Sequence, residues 1–364
     1  MKSICFAFNH FQNADGIARS AVAIANGIVS DDVNVVLRPI YKYDKKMLSG
    51  LDPRIKVEPI FRFYFKGMSK IVGALPKRVL HRLIFGTHRF DIEIGFQYGD
   101  ATVAVVNSNS HKEKHIIWMH GYDEGLILKN CYLKADQVVC VSRANAARLK
   151  KELNGNGNIT YAYNPIDEKN VVKSGQEEID IKNDGKFIFS TVGRLSPEKG
   201  YSRLLDCVKK LNDHNYSFQL WIIGDGPEKE MLKRKTKDLD LQNVKFLGNQ
   251  FNPHKYTSKS DVFVCSSFSE GYSTACTEAI MLGVPVLTTN VSGGEEIIKD
   301  SEAGLLVGMS DDDLYNGMKE ILDNQNIVEV WKKQLLITKE RFSKDNRLAR
   351  IKDILDLDIH QGKA

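Results

Sequence analysis

The chain has 364 residues, a formal net charge of +5 and 42% hydrophobic residues, which is enough apolar material for two α/β domains. No run approaches the roughly 18 apolar residues that a membrane-spanning helix needs. The first apolar run ends in Asn9 and His10 without a cleavage site of small residues, which argues against a signal peptide and predicts a cytoplasmic protein. In that compartment the six cysteines, which form no CxxC pair, are expected to be buried, reduced thiols.

Along the first half of the chain, continuous runs of Val, Ile and Phe alternate with helical patterns, as in parallel strands that are buried on both faces. The predicted strands are Ser3–Phe8, Val33–Leu37, Asp91–Phe96, His115–Met119 and Gln137–Val141. The predicted helices are Gly16–Val29 and Ser142–Leu153. This alternation predicts a Rossmann-like, doubly wound α/β domain over residues 1–165.

The second half of the chain repeats the same order of strands and helices. Its predicted strands are Lys186–Val192, Phe218–Ile223, Asn243–Leu247, Asp261–Cys265 and Val284–Thr288. Its predicted helices are Gly200–Asn212, Lys229–Leu239 and Thr274–Leu282. We therefore predict a second Rossmann-like domain over residues 186–340 and a polar linker over residues 166–185, with the two domains facing each other across a ligand cleft.

The stretch Gly193–Gly200, with the sequence Gly-Arg-Leu-Ser-Pro-Glu-Lys-Gly, follows the first strand of the second domain. Ser196 is expected to cap the next helix, with Pro197 at its first position. Arg194 and Lys199 then lie beside a helix N-terminus, where free N–H groups and the helix dipole favour an anion. Two cations can neutralise a diphosphate here without a metal ion; the alternative is a surface Arg and Lys beside a helix start.

Glu270 and Glu278 follow a later strand of the same domain, the first on a loop and the second about one turn into a helix that Ser273 or Thr274 caps. A carboxylate repels phosphate, so both side chains are expected to accept hydrogen bonds from sugar or ribose hydroxyls. Two glutamates at this spacing are a weak signal by themselves, because a helical face often supplies such a pair. Backbone amides expected to meet phosphate or sugar oxygens are those of Gly271, Tyr272, Ser273 and Thr274.

Two positions of the first domain also follow strands. His120 comes directly after a strand, where it could hydrogen-bond a substrate hydroxyl or act in proton transfer; the alternative is a loop histidine satisfied by the backbone. Gly16 opens the first helix, which is directed at the same cleft. The chain has no GxGxxG, Walker lysine or GxSxG motif and no zinc-type spacing of His and Cys, so no dinucleotide cofactor or metal is indicated.

A basic and aromatic stretch lies between Arg54 and Arg89, with Glu58 as its only carboxylate. Such a stretch favours an anionic partner, either lipid headgroups or nucleic acid, and the alternative is a solvated helix face. We predict a peripheral contact with an anionic membrane rather than nucleic acid. The residues predicted for this acceptor or membrane side are Arg62, Lys66, Lys70, Lys77, Arg78 and Arg82.

Together these motifs resemble the retaining GT-B glycosyltransferases that include bacterial capsule, lipopolysaccharide and phosphatidylinositol mannosyltransferases. The resemblance covers nearly the whole chain and is strongest from Phe187 to Leu306. The first loop departs from the family because Asp15-Gly16 stands where the family has a pair of glycines. The matching motifs are Gly193–Leu195 with Glu198–Gly200, Ile223–Pro227, Val244–Gly248, Ser260–Val264, and the E-x7-E pair Glu270 and Glu278.

The resemblance implies a role for each candidate residue. Arg194 and Lys199 would hold the donor diphosphate, while Glu278 would bind the ribose and Glu270 the donor sugar. His120 would lie near the sugar and the acceptor, and Gly16 near the phosphate. A C-terminal helix, about residues 341–364, would cross back to the first domain.

The resulting hypothesis is a metal-independent, retaining hexosyl- or N-acetylhexosaminyltransferase without a cofactor. Its donor would be a nucleotide-diphosphate sugar, with UDP favoured, and its acceptor a glycan or lipid-linked saccharide in bacterial surface polysaccharide synthesis. Two alternatives stay open. One is a nucleotide-sugar epimerase or hydrolase on the same fold, and the other is a non-catalytic subunit of a polymer-assembly complex.

Overall fold

A computed structural model describes residues 1–12, 16–87, 89–108, 112–181 and 184–357. The chain divides into two compact structural units. The first unit comprises Met1–Ile166 together with the segment from Lys344 onward, and the second unit comprises Asp167–Ser343. Within the described ranges, no helix is both long and apolar enough to cross a bilayer.

The first unit contains, among the residues described, a seven-stranded parallel sheet with the order β3-β2-β1-β4-β5-β6-β7. Its strands are β1 Lys2–Phe11, β2 Val33–Tyr43, β3 Lys56–Val57, β4 Ile92–Gly95, β5 Lys114–Met119, β6 Gln137–Cys140 and β7 Ile159–Tyr161. Its helices are α1 Gly16–Ile28, α2 Met68–Gly73, α3 Lys77–Phe85, α4 Asp100–Val105, α5 Lys129–Lys134 and α6 Arg143–Glu152. The last helix, which belongs to this unit although it ends the described chain, is α15 Lys344–Ile354.

The second unit contains a six-stranded parallel sheet, order β10-β9-β8-β11-β12-β13, within the described ranges. Its strands are β8 Phe187–Val192, β9 Phe218–Ile223, β10 Val244–Gly248, β11 Val262–Cys265, β12 Val286–Thr289 and β13 Gly304–Val307. Its first helices are α7 Glu168–Gly175, α8 Tyr201–Asp213, α9 Lys229–Asp238 and α10 His254–Thr257. Its remaining helices are α11 Thr274–Met281, α12 Gly294–Ser301, α13 Asp311–Asp323 and α14 Asn326–Thr338.

The expected pair of Rossmann-like α/β domains is confirmed, because both sheets are parallel and each reverses its strand order once. The physical basis is the run of apolar residues in the central strands. All six residues of β9 are buried, and residues 4–8 of β1 are buried as well. Strands buried on both faces need helices on both sides, which the crossover connections supply. The six cysteines are buried and form no disulfide bonds, as expected.

The described part of the predicted linker contains a helix. This helix is α7, whose Val171 is buried. Ser258 donates a hydrogen bond from its Oγ to the carbonyl oxygen of Gly175 at 2.6 Å, and Asn252 donates from Nδ2 to Ser174 at 2.8 Å. This helix therefore packs against α10 and its flanking residues within the second unit.

Candidate functional site

The second unit places its candidate residues at the point where the strand order of its sheet reverses. This point lies between β8 and β11, which are neighbours in the sheet. Arg194 follows the carboxyl end of β8, and Glu270 follows the carboxyl end of β11. In open parallel sheets the loops at such a point diverge and leave a crevice for ligands, so the topology favours a binding site here.

The turn after β8 differs in one respect from the sequence prediction. Ser196 and Pro197 begin a short 3₁₀ helix, Pro197–Lys199, and not the following α-helix. Gly200 separates the two elements with φ of +67°, and α8 begins at Tyr201. A Cβ at Gly200 would lie 2.1 Å from the carbonyl oxygen of Ser266, so glycine allows this turn to touch the loop after β11.

The Gly224–Gly226 turn supports the Gly193–Leu195 turn through close backbone packing. A Cβ at Gly224 would lie 1.9 Å from the carbonyl oxygen of Gly193, and Gly224 itself has φ of +144°. The amide of Leu195 donates to the carbonyl oxygen of Asp225 at 3.0 Å. The glycines after β9 thus hold the Arg194 turn in place as well as forming their own.

Lys199 and Glu270 form an ion pair between the two loops. The Nζ atom of Lys199 donates to Oε1 of Glu270 at 2.7 Å, and the hydroxyl of Ser267 donates to the same oxygen at 2.7 Å. Burial opposes the charge of Lys199, but the adjacent Glu270 carboxylate outweighs burial and raises the pKa of this lysine. The ammonium group is therefore held charged at the mouth of the site.

Arg194 supplies the second cation at this edge of the sheet. Its side chain is exposed and forms no hydrogen bond or ion pair with any residue that the structure describes. Since a guanidinium is always charged and matches phosphate geometry, Arg194 is available to an anionic ligand. The segment that follows β8 thus carries two cations: Lys199, which is paired with Glu270, and Arg194, which has no ion-pair partner among the described residues.

The loop after Glu270 leads directly into α11. Ser273 caps this helix, as predicted, and its Oγ accepts a hydrogen bond from the amide of Cys276 at 3.3 Å. Thr274 is the first helical residue. Gly271 precedes Tyr272, whose side chain is buried and packs on Gly293.

Glu278 lies in the second turn of α11 beside a histidine that the sequence did not single out. Its Oε2 is 3.4 Å from Nε2 of His254, the first residue of α10. Both side chains are partly buried, with exposed fractions of 18% and 16%. His254 follows β10 by only a few residues and limits the orientations of the Glu278 carboxylate.

Arg203 is a second residue that sequence reasoning missed. Its side chain is 3% exposed, and it donates to the carbonyl oxygens of Ser266, Ser267 and Met309 at 2.6–2.9 Å. Its guanidinium also lies 3.8 Å from the ring centre of Phe268. Arg203 therefore fastens the loop that carries Glu270. The sequence did contain a signal for this role, because Arg203 is a charged residue on the apolar face of the predicted helix Gly200–Asn212.

His120 lies in a different environment, at the carboxyl end of β5 in the first unit. It lines a cavity of about 130 Å³ with Ile17, Trp118 and Tyr122. Its ring contacts Phe96 at 4.5 Å between ring centres, and its buried Nε2 has no hydrogen-bond partner among the described residues. Burial lowers the pKa of His120 to about 3, so the imidazole is neutral near pH 7. The interpretation as a histidine satisfied by the backbone therefore does not hold for Nε2.

Gly16 is the first residue of α1, and a Cβ built there would contact nothing within 4 Å. The next residue, Ile17, lines the same cavity as His120, so the start of α1 and His120 are neighbours. Residues 13–15 lie outside the described residues. They include Asp15, which stands where the similar family has a glycine.

The basic stretch of the first unit forms an exposed surface that we call the basic apolar face. None of its six predicted cations forms an ion pair with a described residue. The cations are Arg62, Lys66, Lys70, Lys77, Arg78 and Arg82, and all six are exposed. The large apolar side chains exposed beside them are Phe63, Tyr64, Phe65, Ile71, Val79 and Leu83.

The second unit is similar to a known protein family. Residues 173–335 match the model of the family described as glycosyl transferases group 1. The chain is 30% identical over 217 residues to N-acetylgalactosamine-N,N'-diacetylbacillosaminyl-diphospho-undecaprenol 4-alpha-N-acetylgalactosaminyltransferase of Campylobacter jejuni, a match that covers 58% of each chain. It is 28% identical over 182 residues to the lipopolysaccharide core biosynthesis glycosyltransferase LpsD of Rhizobium meliloti, covering 50% of this chain and 51% of that protein. The chain thus spans little more than half the length of these two relatives.

Similarity to solved structures extends over both units. The crystal structure of Anabaena HepE in complex with UDP superposes with a TM-score of 0.71 and 17% identity, and the match covers 98% of this chain and 100% of that one. At this identity the likeness shows the fold alone, and together with the two parallel sheets it confirms the expected GT-B fold.

Proposed function

We propose that the protein transfers a sugar from a nucleotide-diphosphate sugar to a hydroxyl group, because residues 173–335 match the model of the glycosyl transferases group 1 family. The acceptor is a glycan or a lipid-linked saccharide of a bacterial surface polysaccharide, and the anomeric configuration of the sugar is retained. The relatives named for lipopolysaccharide core synthesis and for a diphospho-undecaprenol acceptor support this class of acceptor.

The observation that carries the proposal is the ion pair of Lys199 and Glu270 beside the unengaged Arg194. An incoming diphosphate offers Lys199 more negative charge than one carboxylate does, and Arg194 adds a second cation. When Lys199 turns to the diphosphate, Glu270 is released to accept hydrogen bonds from the hydroxyls of the donor sugar. Without a donor, Glu270 thus keeps Lys199 charged. With the donor bound, Lys199 contacts the diphosphate and Glu270 contacts the sugar.

The remaining donor contacts follow from the course of α11. The backbone amides proposed to meet phosphate or sugar oxygens are those from Gly271 to Thr274, where the loop enters α11. Thr274 is in the first turn, whose amides have no partner within a helix. Glu278, held beside His254, accepts from the ribose hydroxyls. We favour UDP as the carrier, and the UDP complex of the structurally similar Anabaena protein supports this choice.

The proposed reaction needs no nucleophile from the protein. The acceptor oxygen attacks the anomeric carbon on the face that the diphosphate leaves, the bond from this carbon to the phosphate oxygen breaks, and that phosphate oxygen takes the acceptor proton. Arg194 and Lys199 stabilise the negative charge on the leaving diphosphate, which supplies most of the rate. The neutral His120, whose Nε2 is unengaged, accepts a hydrogen bond from a sugar or acceptor hydroxyl.

We also propose that the basic apolar face docks on an anionic membrane, where a lipid-linked acceptor resides. Exposed aromatic and aliphatic side chains can enter the headgroup region while unpaired cations attract anionic lipid, each contributing about 1 kcal/mol near the surface. Binding to vesicles with and without phosphatidylglycerol, at low and high salt, tests this docking. Charge reversal at Lys77, Arg78 and Arg82 should weaken it, and binding that ignores lipid charge and salt would contradict it.

The function itself is tested in two steps. Thermal shift with UDP, GDP and their common sugar conjugates identifies the carrier, because a ligand stabilises only the state that binds it. Transfer to lipid-linked acceptors is then followed by NMR of the new anomeric proton. Glu270→Gln should abolish transfer, whereas Glu295→Gln, a control at an exposed glutamate paired with Lys299, should not.

Each alternative function has its own outcome in this experiment. Release of free sugar without an acceptor would identify a hydrolase, and an isomerised nucleotide sugar would identify an epimerase. A protein that binds no nucleotide, or that functions normally with Glu270→Gln, would be a non-catalytic subunit. An inverted linkage would overturn the retaining mechanism and leave the glycosyl transfer standing.

A further inference from the structure

Three buried side chains with metal-binding atoms meet in the first unit. Nε2 of His81 lies 2.7 Å from Oε2 of Glu93, and Nε2 of His115 lies 3.5 Å from the same oxygen. One ligand atom from each side chain falls within 4.8 Å of the others. The side chains of His81, Glu93 and His115 are 9%, 1% and 11% exposed. None of the roles proposed above uses this cluster.

The fold explains why these three residues converge. Glu93 and His115 are register partners on the adjacent strands β4 and β5, so their side chains leave the same face of the sheet. His81 comes from α3, whose buried residues Leu80, Ile84 and Phe85 cover this face. Residues 93 and 115 are the second residues of their strands, so the cluster lies at the amino end of the sheet, whereas His120 lies beyond its carboxyl end.

The cluster holds a buried carboxylate between two imidazoles and leaves one imidazole nitrogen without a hydrogen-bond partner. Among the described residues, no Lys or Arg forms an ion pair with the Glu93 carboxylate, which is surrounded instead by the two imidazoles. The buried Nε2 of His115 has no hydrogen-bond partner of good geometry. Burying a carboxylate is costly unless a positive group compensates it. A cation placed among the three ligand atoms would satisfy both groups at once.

The surroundings of His115 resemble the second shell of a metal site. Its other ring nitrogen, Nδ1, lies 3.4 Å from Oδ2 of Asp136, and the same carboxylate accepts the backbone amide of His115 at 2.7 Å. Metal-bound histidines usually direct their second nitrogen at a carboxylate or carbonyl oxygen, which fixes the tautomer that leaves Nε2 free for the metal. Cys5, on β1, is the register partner of Glu93 and packs in the same core cluster as Leu80. Its thiol therefore lies on the same face of the sheet.

We propose that His81, Glu93 and His115 bind one divalent metal ion of the zinc class, which stabilises the first unit. Two imidazole nitrogens and one carboxylate oxygen suit zinc and similar transition metals, whereas calcium and magnesium prefer oxygen ligands. Ligands about 2.1 Å from a tetrahedral ion lie about 3.4 Å apart. The spacings of 2.7 and 3.5 Å bracket this value, so small side-chain rotations admit the ion.

The competing occupant of the cluster is a proton, which would make it a buried Glu–imidazolium pair without metal. Metal analysis by mass spectrometry distinguishes the two occupants. The full chain is purified without a histidine tag, stripped with EDTA, reloaded with Zn²⁺ and dialysed. We expect about one zinc per chain and a higher melting temperature than that of the stripped protein. A chain that retains no zinc and melts at the same temperature in both states would overturn the proposal.

Variants and spectroscopy locate the ion. His81→Gln should lose the bound zinc, whereas His214→Gln, a control at the exposed histidine that ends α8, should keep it. Zinc retained by His81→Gln would place the ion elsewhere and overturn the assignment. If His81→Gln does not fold, X-ray absorption on the wild-type zinc protein decides instead. Two imidazole ligands support the proposal, and a shell without imidazole contradicts it.

Discussion

The carboxyl edges of the two sheets are built by opposite means. At the edge of the six-stranded sheet, the partly buried Lys199 is held by a partner of opposite charge, Glu270. At the edge of the seven-stranded sheet, His120 sits beside aromatic rings with its Nε2 unengaged. Pairing keeps Lys199 charged, and burial keeps His120 neutral.

This difference fits two kinds of ligand. A diphosphate needs fixed positive charge, which a partly buried lysine keeps beside a compensating carboxylate and an exposed arginine keeps in contact with water. A hydroxyl group needs a neutral acceptor with a free lone pair, which burial supplies without any charged partner. Each of the following predictions tests one side of this comparison.

The largest effect is expected for Lys199→Ala. Removing this cation leaves the developing charge of the leaving diphosphate to Arg194 alone, so kcat/KM for transfer should fall about 10²–10³-fold. Steady-state kinetics on the purified variant measure the loss. Lys319→Ala is the matched control, since this lysine pairs with Asp323 on the surface of the same unit and should leave transfer unchanged. Wild-type rates for Lys199→Ala would remove the diphosphate assignment.

Arg203→Ala should destabilise the loop that carries Glu270. The variant loses four hydrogen bonds from a charged donor and leaves buried carbonyl oxygens unsatisfied, a cost of about 3 kcal/mol. Calorimetry should show a lower melting temperature for the second unit, together with weaker UDP binding. The comparison variant is Lys209→Ala on the same helix, where the exposed pair with Asp213 contributes little. Equal melting temperatures for both variants would contradict the role of Arg203.

Glu278→Ala should weaken UDP binding by tenfold or more, since a hydrogen bond to a charged acceptor contributes about 1.5–3 kcal/mol. Its affinity for pyrophosphate should stay unchanged because pyrophosphate has no ribose. Lys199→Ala should weaken both ligands. Titration calorimetry with UDP and pyrophosphate on the two variants separates the roles, and an equal loss of both ligands in Glu278→Ala would refute the ribose assignment.

The smallest effect is expected for the pH dependence of stability at His120. Its pKa is about 3 in the folded chain, against about 6.5 when unfolded, so between these values the unfolded chain binds a proton that the folded chain excludes. Stability should therefore fall as the pH drops below 6.5, by about 1 kcal/mol at pH 5.5. His120→Gln should remove this part of the loss. The free energy of unfolding is measured against pH for the wild type and for His120→Gln. If the two curves have the same pH dependence, the histidine is not buried as described.

The sequence predicted the central strands and the main helices well, because long apolar runs and capping residues are local signals. It missed β3, β7 and β13, which lie at or near sheet edges and have two to four residues. It also assigned Pro197 to the wrong helix, since the turn at Gly200 depends on the loop after β11. Contacts between distant loops leave no local pattern to recognise.

Among the candidate residues, Arg194, Lys199, Glu270 and Glu278 were named from their motifs, and the structure places all four at the carboxyl edge of the six-stranded sheet. Their partners were not foreseen. Arg203 and His254 lie on helices whose patterns look ordinary, and their contacts with Ser266 and Glu278 arise only when separate elements pack together.

By itself, then, the sequence determined the alternation of strands and helices, the parallel sheets and the chemistry after β8 and β11, because these depend on apolar periodicity and on the residue types in short loops. Only the tertiary structure decided the partners of the charged groups, the isolation of His120 Nε2 and the meeting of His81, Glu93 and His115. Those properties depend on burial and on distances between residues far apart in the chain, which neither spacing nor composition encodes.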